Sequence, residues 1–542
     1  MIFFPRQLTT DNRPPMFYLT TAIDYTNGAP HIGHAYEKVL ADVIIRYRRL
    51  RGEKAYFLTG VDQHGQKVQQ TAEREGVHPA TFVKRTTKQF RNLWEKLGVH
   101  YDGWAETTDA RHKACVQGIL SDLQQRGQLY KKSHSAPYSV RQEQFLQDRD
   151  RDENGNFGPQ WGEVNIVEEE NWYFKLSEHT GWLKTFIESH PDVITPAFRK
   201  TELLNALERS GDTDLCISRP KERLRWGIEL PFDSNFVTYV WFDALINYIS
   251  FAGYHAAPDA GLPDFENLWN VGGSRSTHLI GKDILVPAHG IYWLCMLHAM
   301  GFPDARIPRL LVHGFWNSKG GDKLSKSTGN IIDPNELADS FGVDALRYYL
   351  VRDIVTGKDS DFDLDRLIML FNTELANETG NLCNRALNMS QRFTAGILHN
   401  GSPLTADETA LQISLTDSTA AYQAAMDECD ISRGLEAISR HVVHCNGYAE
   451  RMKPWELNKE PANHERLATV LYHLAESVAH AAVLLSPILP DAAAKLAAQL
   501  NLPSLTSLKL TDLHWGLLPD GHAIGKPKPV FPRIVVEESA QA

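Results

Sequence analysis

No Cys-x-x-Cys pair occurs in the chain, and its six cysteines (Cys115, Cys216, Cys295, Cys383, Cys429, Cys445) are scattered. That spacing excludes a disulfide framework and a cysteine-built zinc site, and it fits reduced thiols in a cytoplasmic protein. Long apolar runs are lacking too. The longest, Val478 to Leu489, is broken by His480, Ser486 and Pro487, too short to span a bilayer. Met1 to Leu8 has neither an h-region nor a cleavage site, so no secretory leader is expected. Basic excess is absent: 56 Lys and Arg against 67 Asp and Glu give a net charge of −11. Bulk charge therefore does not point to nucleic acid, although a local basic stripe would suffice for RNA. Internal repeats and low-complexity tracts are missing as well.

What is present is a 542-residue chain, 42% hydrophobic and 23% charged, the composition of a soluble globular protein with two to four domains. The apolar run Met16 to Ile23 leads into Tyr25-Thr26-Asn27-Gly28-Ala29-Pro30-His31-Ile32-Gly33-His34. The helically spaced Val39, Leu40, Val43, Ile44 and Tyr47 come next, with Gly52 beyond. This order reads as strand, turn, helix. Unpaired N–H groups and the positive dipole end at the helix start would favour an anion beside His31 and His34. Gly33, without a Cβ, would let a flat base lie against the backbone. Far downstream, Gly320-Gly321-Asp322-Lys323-Leu324-Ser325-Lys326-Ser327-Thr328-Gly329-Asn330 is a glycine-flanked loop whose ammonium groups suit β- and γ-phosphates.

The two motifs together resemble the HIGH and KMSKS signatures of the class I aminoacyl-tRNA synthetases, His31–His34 without change and Lys323–Ser327 with Leu324 in place of Met. Over nearly the whole chain the resemblance is closest to the methionyl-tRNA synthetase family. It implies an α/β fold: a class I Rossmann-type catalytic domain with an inserted connective module, followed by an all-α anticodon-binding helical bundle. Expected bounds are 16–127 for the first catalytic half, 128–235 for the insert, 236–307 for the second half, 308–365 for the lysine-loop and stem-contact region, and 366–542 for the bundle with a C-terminal tail.

The resemblance also implies roles. Ala22, Ile23, Tyr25, Asp62, Trp241, Ala244, Tyr248, Ile284 and His289 would form a methionine pocket, Asp62 taking the ammonium and the aromatic walls suiting a thioether. Asn27, His31, Gly33, His34, Glu37, Lys282, Asp283, Lys323, Ser325 and Lys326 would hold ATP. Among these, His31, His34, Lys323 and Lys326 would stabilise the transferring phosphoryl group, with Mg²⁺ sharing the charge. Asn381, Arg385 and Trp455 would read the anticodon of tRNA(Met) by hydrogen bonding and stacking. The activity implied is methionine activation by ATP and transfer to tRNA in protein biosynthesis, by a monomer without a membrane partner.

Three departures from the family pattern stand out. Asp283 and His289 are one residue further apart than usual, with Pro287 between them, and an extra helical residue turns the side chains downstream of it by about 100°; the aim of His289 is left open. Leu245 stands where many relatives have proline. At the family's zinc-knuckle positions Ser139, Gln142, Gly158 and Trp161 offer no structural zinc set, so a metal-free module is expected, with Tyr138, Phe157 and Trp161 as apolar replacement. Rival readings are another class I synthetase for an aliphatic amino acid, which would want a larger editing insert, a small-metabolite adenylyltransferase, which would not need the bundle, and a catalytically silent tRNA-binding protein.

Overall fold

The computed structural model describes residues 16–141, 144–146, 150–152, 154–210, 213–318 and 332–535. In chain order its principal elements begin with β1 (Met16–Thr21), β2 (Asp24–Tyr25), α1 (Ile32–Leu50), β3 (Lys54–Asp62), α2 (Gln66–Arg74), α3 (Pro79–Lys96), β4 (Gly103–Glu106) and α4 (Ala110–Gln125). Then come β5 (Leu129–Ser139), β6 (Val164–Phe174), α5 (Ser177–Ser189), β7 (Ile194–Thr195), α6 (Ala197–Ser210), α7 (Val240–Ser250), β8 (Thr277–Gly281), a wide-turn helix α8 (Leu285–Trp293) and β9 (Arg309–His313). The remainder is chiefly helical: α9 (Val343–Arg352), α10 (Gly380–Phe393), α11 (Ala406–Asp427), α12 (Ile431–Met452), α13 (His464–Leu485) and α14 (Pro490–Gln499).

These elements fall into two compact units. The first comprises Met1–Ala29, Tyr56–Asn92 and Tyr101–His313. It is built on a sheet in which β3 pairs with β4 and β2, and β1, β8, β9 and β7 continue the order. Pairings of β1 with β8, β8 with β9, β9 with β7, and β3 with β2 and β4 are parallel. Such a sheet, covered by helices, buries near-continuous apolar runs. Tyr18, Leu58, Phe174, Phe242, Trp293 and Leu310 accordingly share one core. Between β4 and α7, β5 and β6 form a long antiparallel pair from Leu129↔Phe174 to Ser139↔Val164.

At the tip of that pair the expected apolar knuckle is not what holds the chain. Tyr138 is buried, but Phe157 and Trp161 stay half-exposed. Polar bonds and cation–π stacks do the tying: Ser139 Oγ donates to the Trp161 carbonyl, Arg141 to the Pro159 carbonyl, and Arg151 lies 4.2 Å over the Phe157 ring.

The second unit comprises Pro30–Ala55, Leu93–His100 and Gly314–Ala542. Its helices α10 to α14 bury Leu387, Tyr422, Val442, Leu474, Val478 and Leu496. Within Pro461–Leu485 the helix is longer and more apolar than the interrupted run in the sequence suggests, and 94% of its most apolar window is buried inside the protein. Apolarity all round is what a central bundle helix requires. Helix α1 belongs to this unit. Its Asp42 accepts from Arg347 of α9 (2.7 Å), Arg46 and the His100 backbone, while Arg347 also donates to the carbonyls of Leu97 and Ile488. Tyr47 donates to Asp427 at the end of α11. The C-terminal segment packs back on the helices, with His522–Ala523 pairing with Ile397–Leu398 and Asn372 bonded to Ile534.

Candidate active site

In the second unit the histidine turn caps α1 in an uncommon way. His31 is the N-cap in an extended conformation (φ −137°, ψ 178°), and its Nδ1 accepts from the Gly33 N–H at 3.1 Å. His34 Nδ1 accepts in turn from the His31 N–H at 3.1 Å, closing a reciprocal capping box built from two imidazoles. The rings lie 3.8 Å apart at 35°. This arrangement has two consequences. Two of the backbone N–H groups at the helix start, those of His31 and Gly33, are taken by the imidazoles. With each Nδ1 lone pair used as an acceptor, a neutral ring must carry its proton on Nε2, so both present an N–H donor that is not spent on the cap. Gly33 also has a local reason: a Cβ there would stand 3.1 Å from the His31 ring. A side chain there would crowd the imidazole and make it shift by a few tenths of an ångström, a contact that spacing in the sequence did not reveal. Glu37 is buried and accepts from the fully buried Lys38 at 2.7 Å; that ammonium lies 5.7 Å over Trp94.

The first unit holds the residues read as the amino-acid pocket. Asp62 closes β3 and is 7% exposed; its carbonyl accepts from Thr26 N–H and Oγ1, and its carboxylate from Thr107. Ala22, Ile23 and Tyr25 follow β1 and are half-buried, whereas Asn27 is exposed. Helix α7 carries Trp241, Ala244 and Tyr248, and Tyr248 is almost wholly buried.

His289 is brought to that wall. Its Nδ1 donates to the Ile284 carbonyl at 2.9 Å, so its Nε2 accepts from the Tyr248 hydroxyl at 2.7 Å, and its ring stands edge-on to Trp241. Between Asp283 and His289 the chain is not one helix: Val286 is extended (φ −118°, ψ 124°), so a rotation of about 100° per residue does not carry from one to the other. Sequence counting assumed a continuous helix there and could not see this break. Behind Tyr248 the stack continues through His278 (ring centroids 4.2 Å), which bonds Thr20 and accepts from Trp293. Burial lowers His278 well below the usual histidine range, so this imidazole is neutral. Lys282 is half-buried and Asp283 exposed, in the turn just after β8.

Two features were missed in the sequence. Arg219 is 4% exposed with its guanidinium 4.4 Å over Tyr239, beside a small cavity also lined by Gly65, Gln66 and Tyr138. Asp243 is buried and bonded by two histidines, His64 (2.7 Å) and His112 (2.8 Å). Burial pushes the Asp243 carboxyl up, but the imidazoles more than offset it and hold its pKa at about 2. A buried carboxylate 179 residues from its partner leaves no signal in local spacing.

Lys323, Ser325 and Lys326 lie outside the described residues. Of the bundle residues, Asn381 is exposed on α10, and Arg385, four positions on, stacks 5.0 Å over Trp455 and pairs with Glu450 at 2.7 Å. Asn381 and the Arg385–Trp455 pair therefore sit near each other on one helical face. Among the described residues no group of three or more His, Cys, Asp or Glu side chains gathers that could hold a metal.

Comparison with known proteins adds a family to this geometry. The profile described as tRNA synthetases class I (M) matches residues 17–154 and 161–387, and that of the anticodon binding domain of methionyl tRNA ligase matches 398–542. Curated relatives named methionine–tRNA ligase include one from Rhizobium meliloti, 38% identical over 96% of this chain and 99% of its own length. Another, from Streptomyces coelicolor, is 38% identical over 97% and 98%. Among solved structures, Mycobacterium tuberculosis methionyl-tRNA synthetase in complex with methionyl-adenylate is 34% identical, with a TM-score of 0.86 over 96% of this chain and 100% of that one.

Proposed function

The chain belongs to the class I methionyl-tRNA synthetases, and from that premise we propose how its residues divide the work of a methionine–tRNA ligase. In the first step the methionine carboxylate attacks the α-phosphorus of ATP, forming methionyl-adenylate and releasing pyrophosphate. In the second, a hydroxyl of the terminal adenosine of tRNA(Met) attacks the activated carbonyl and AMP leaves. No enzyme nucleophile is needed, so catalysis rests on alignment and on stabilising charge as it develops.

Asp62 would take the substrate ammonium. Ala22, Ile23, Tyr25, Trp241, Ala244, Tyr248, Ile284 and His289 would enclose the thioether, where sulfur–aromatic contacts contribute about 0.3–1.5 kcal/mol each. His31 and His34 would donate their Nε2–H groups to the α- and β-phosphates, with Gly33 keeping the first ring in place. Asn27, Glu37, Lys282 and Asp283 would contact the nucleoside, and Lys323, Ser325 and Lys326 the pyrophosphate, these last on sequence alone. Mg²⁺ would supply further charge neutralisation, although the described residues gather no cluster of three or more ligands to hold it. Asn381, Arg385 and Trp455 would read the anticodon, the stacked guanidinium and indole being ready planes for an unstacked base. Residues 128–235 would serve as the connective insert, 308–365 as the lysine-loop and stem-contact region, and the enzyme would act as a cytoplasmic monomer.

The observation that carries this reading is the imidazole capping box at the start of α1, which assigns the proton of each neutral ring to Nε2. Amino-acid-dependent ATP–pyrophosphate exchange tests it. Methionine should be the one strong stimulant among the proteinogenic amino acids, and exchange driven equally by leucine, isoleucine or valine would overturn it.

A further inference from the structure

The turn that carries Asp62 is gripped from two sides. Trp226 Nε1 donates to the Gln63 carbonyl at 2.5 Å, and the Gly65 N–H to the Trp226 carbonyl at 3.2 Å. On the other side His64 Nδ1 meets Asp243 Oδ2 at 2.7 Å, and Asp243 Oδ1 meets His112 Nε2 at 2.8 Å. His112 Nδ1 is bonded to Ser250 Oγ at 2.8 Å, and its ring stacks on Phe251. All three members are nearly inaccessible: His64 is 2% exposed, His112 and Asp243 0%. None of them can touch substrate from there. Asp243 nevertheless sits between Trp241 and Ala244 on α7, and His64 is two residues from Asp62.

We propose that His64, Asp243 and His112 are positioning residues for methionine, a buried strut that fixes the Asp62 carboxylate relative to the Trp241–Ala244–Tyr248 wall. This rests on the reading of Asp62 and α7 as the amino-acid pocket. A substrate held by its ammonium at one end and its thioether at the other is sensitive to that distance. A charged hydrogen-bonded strut in a dry interior is stiffer than apolar packing, because sliding either imidazole leaves a buried charge unpaired. Three elements are joined through the carboxylate, the turn after β3, α4 and α7, and the last turn of α7 adds Ser250 behind the His112 ring. Length discrimination is therefore set by groups that never meet the ligand.

The two histidines use opposite ring nitrogens, which makes the test specific. An asparagine amide can replace Nδ1–H and a glutamine amide can replace Nε2–H, but not the reverse. In ATP–pyrophosphate exchange on the full-length enzyme, His64→Asn should keep the methionine KM within about threefold and His64→Gln should raise it about tenfold or more, the scale expected for a small misplacement of a reacting group. At His112 the order inverts: His112→Gln keeps the KM and His112→Asn raises it. The KM for ATP should stay within about twofold throughout, since the strut does not bear on phosphate.

Equal effects of both amides at either site, or parallel rises in the two KM values, would overturn the strut. If the mismatched variants are insoluble, a methionine KM raised about tenfold or more in soluble His64→Asn or His112→Gln overturns it on its own. Asp62→Asn separates the two levels. An unchanged methionine KM in that variant removes the reading of Asp62, whereas a raised one with no amide preference removes only the strut.

Discussion

His31 and His34 show how a short motif does two jobs with one side chain. Each Nδ1 completes the backbone bonding of the helix start, and this fixes which nitrogen carries the remaining proton. His34→Asn separates the jobs: its Oδ1 can still accept from the His31 N–H, but no Nε2–H remains. Adenylate formation should fall about 100- to 1,000-fold, the cost typical of losing one donor to a developing oxyanion, with the thermal midpoint within a few degrees of the parent. A comparable collapse in thermal stability would mean the ring is structural first. The motif and its placement after a strand were legible in the sequence. Its hydrogen-bond direction was not, because spacing says which residues lie close but not which lone pair is occupied.

At the scale of elements, periodicity located the helices well and their couplings poorly. Gly52 does follow α1, and Pro79 opens α3 with Gly98 just past its end, because these residues act through their own backbone preferences. The bond from Asp42 to Arg347 spans 305 residues and joins α1 to α9, a pairing no local pattern encodes. Arg347 is wholly buried and gives its guanidinium protons to one carboxylate and to the carbonyls of Leu97 and Ile488. A lysine carries its three donors on a single nitrogen and cannot reach partners spread around three guanidinium nitrogens. Arg347→Lys should therefore destabilise the protein by about 1–3 kcal/mol, the cost of leaving a buried acceptor unsatisfied, measured by denaturant unfolding. A change of less than about 1 kcal/mol, the worth of an exposed pair, would show that water or repacking replaces the lost bonds. In α8 the lesson differs: the sequence was read as one continuous helix through Pro287, whereas Val286 is extended, and His289 lies hydrogen-bonded to Tyr248.

For the molecule as a whole, buried imidazoles set an acid limit. Burial, with His480 and His444 adding to it, lowers His441 to about 3 from an ordinary 6.5. Burial also takes His278 well below the usual range. Below the ordinary histidine pKa of about 6.5 the unfolded chain binds protons that the folded chain refuses. Stability is therefore complete above that pH and is lost as pH falls towards the folded values. Each such group contributes up to about 1.4 kcal/mol per pH unit in that window. Thermal midpoints should decline steadily from about pH 7 to about pH 5, and His441→Gln should shallow the decline; a flat profile in the parent would refute the linkage. The net charge of −11 bears on none of this, and it concealed the stacked arginine and indole of the bundle because totals erase local arrangement.

Helix α1 is 19 residues long, about 28 Å from end to end at 1.5 Å per residue, and it is anchored near its middle by Asp42. It is a lever with the imidazoles at its tip. Rotation by about 5° around that anchor would carry them roughly 1.4 Å, given about 16 Å of helix between. That distance separates an in-line attack from a missed one. The bolts that stop the rotation, Arg347 and Asp427, belong to segments far along the chain, so mutations that damage adenylation most could lie where no substrate ever reaches.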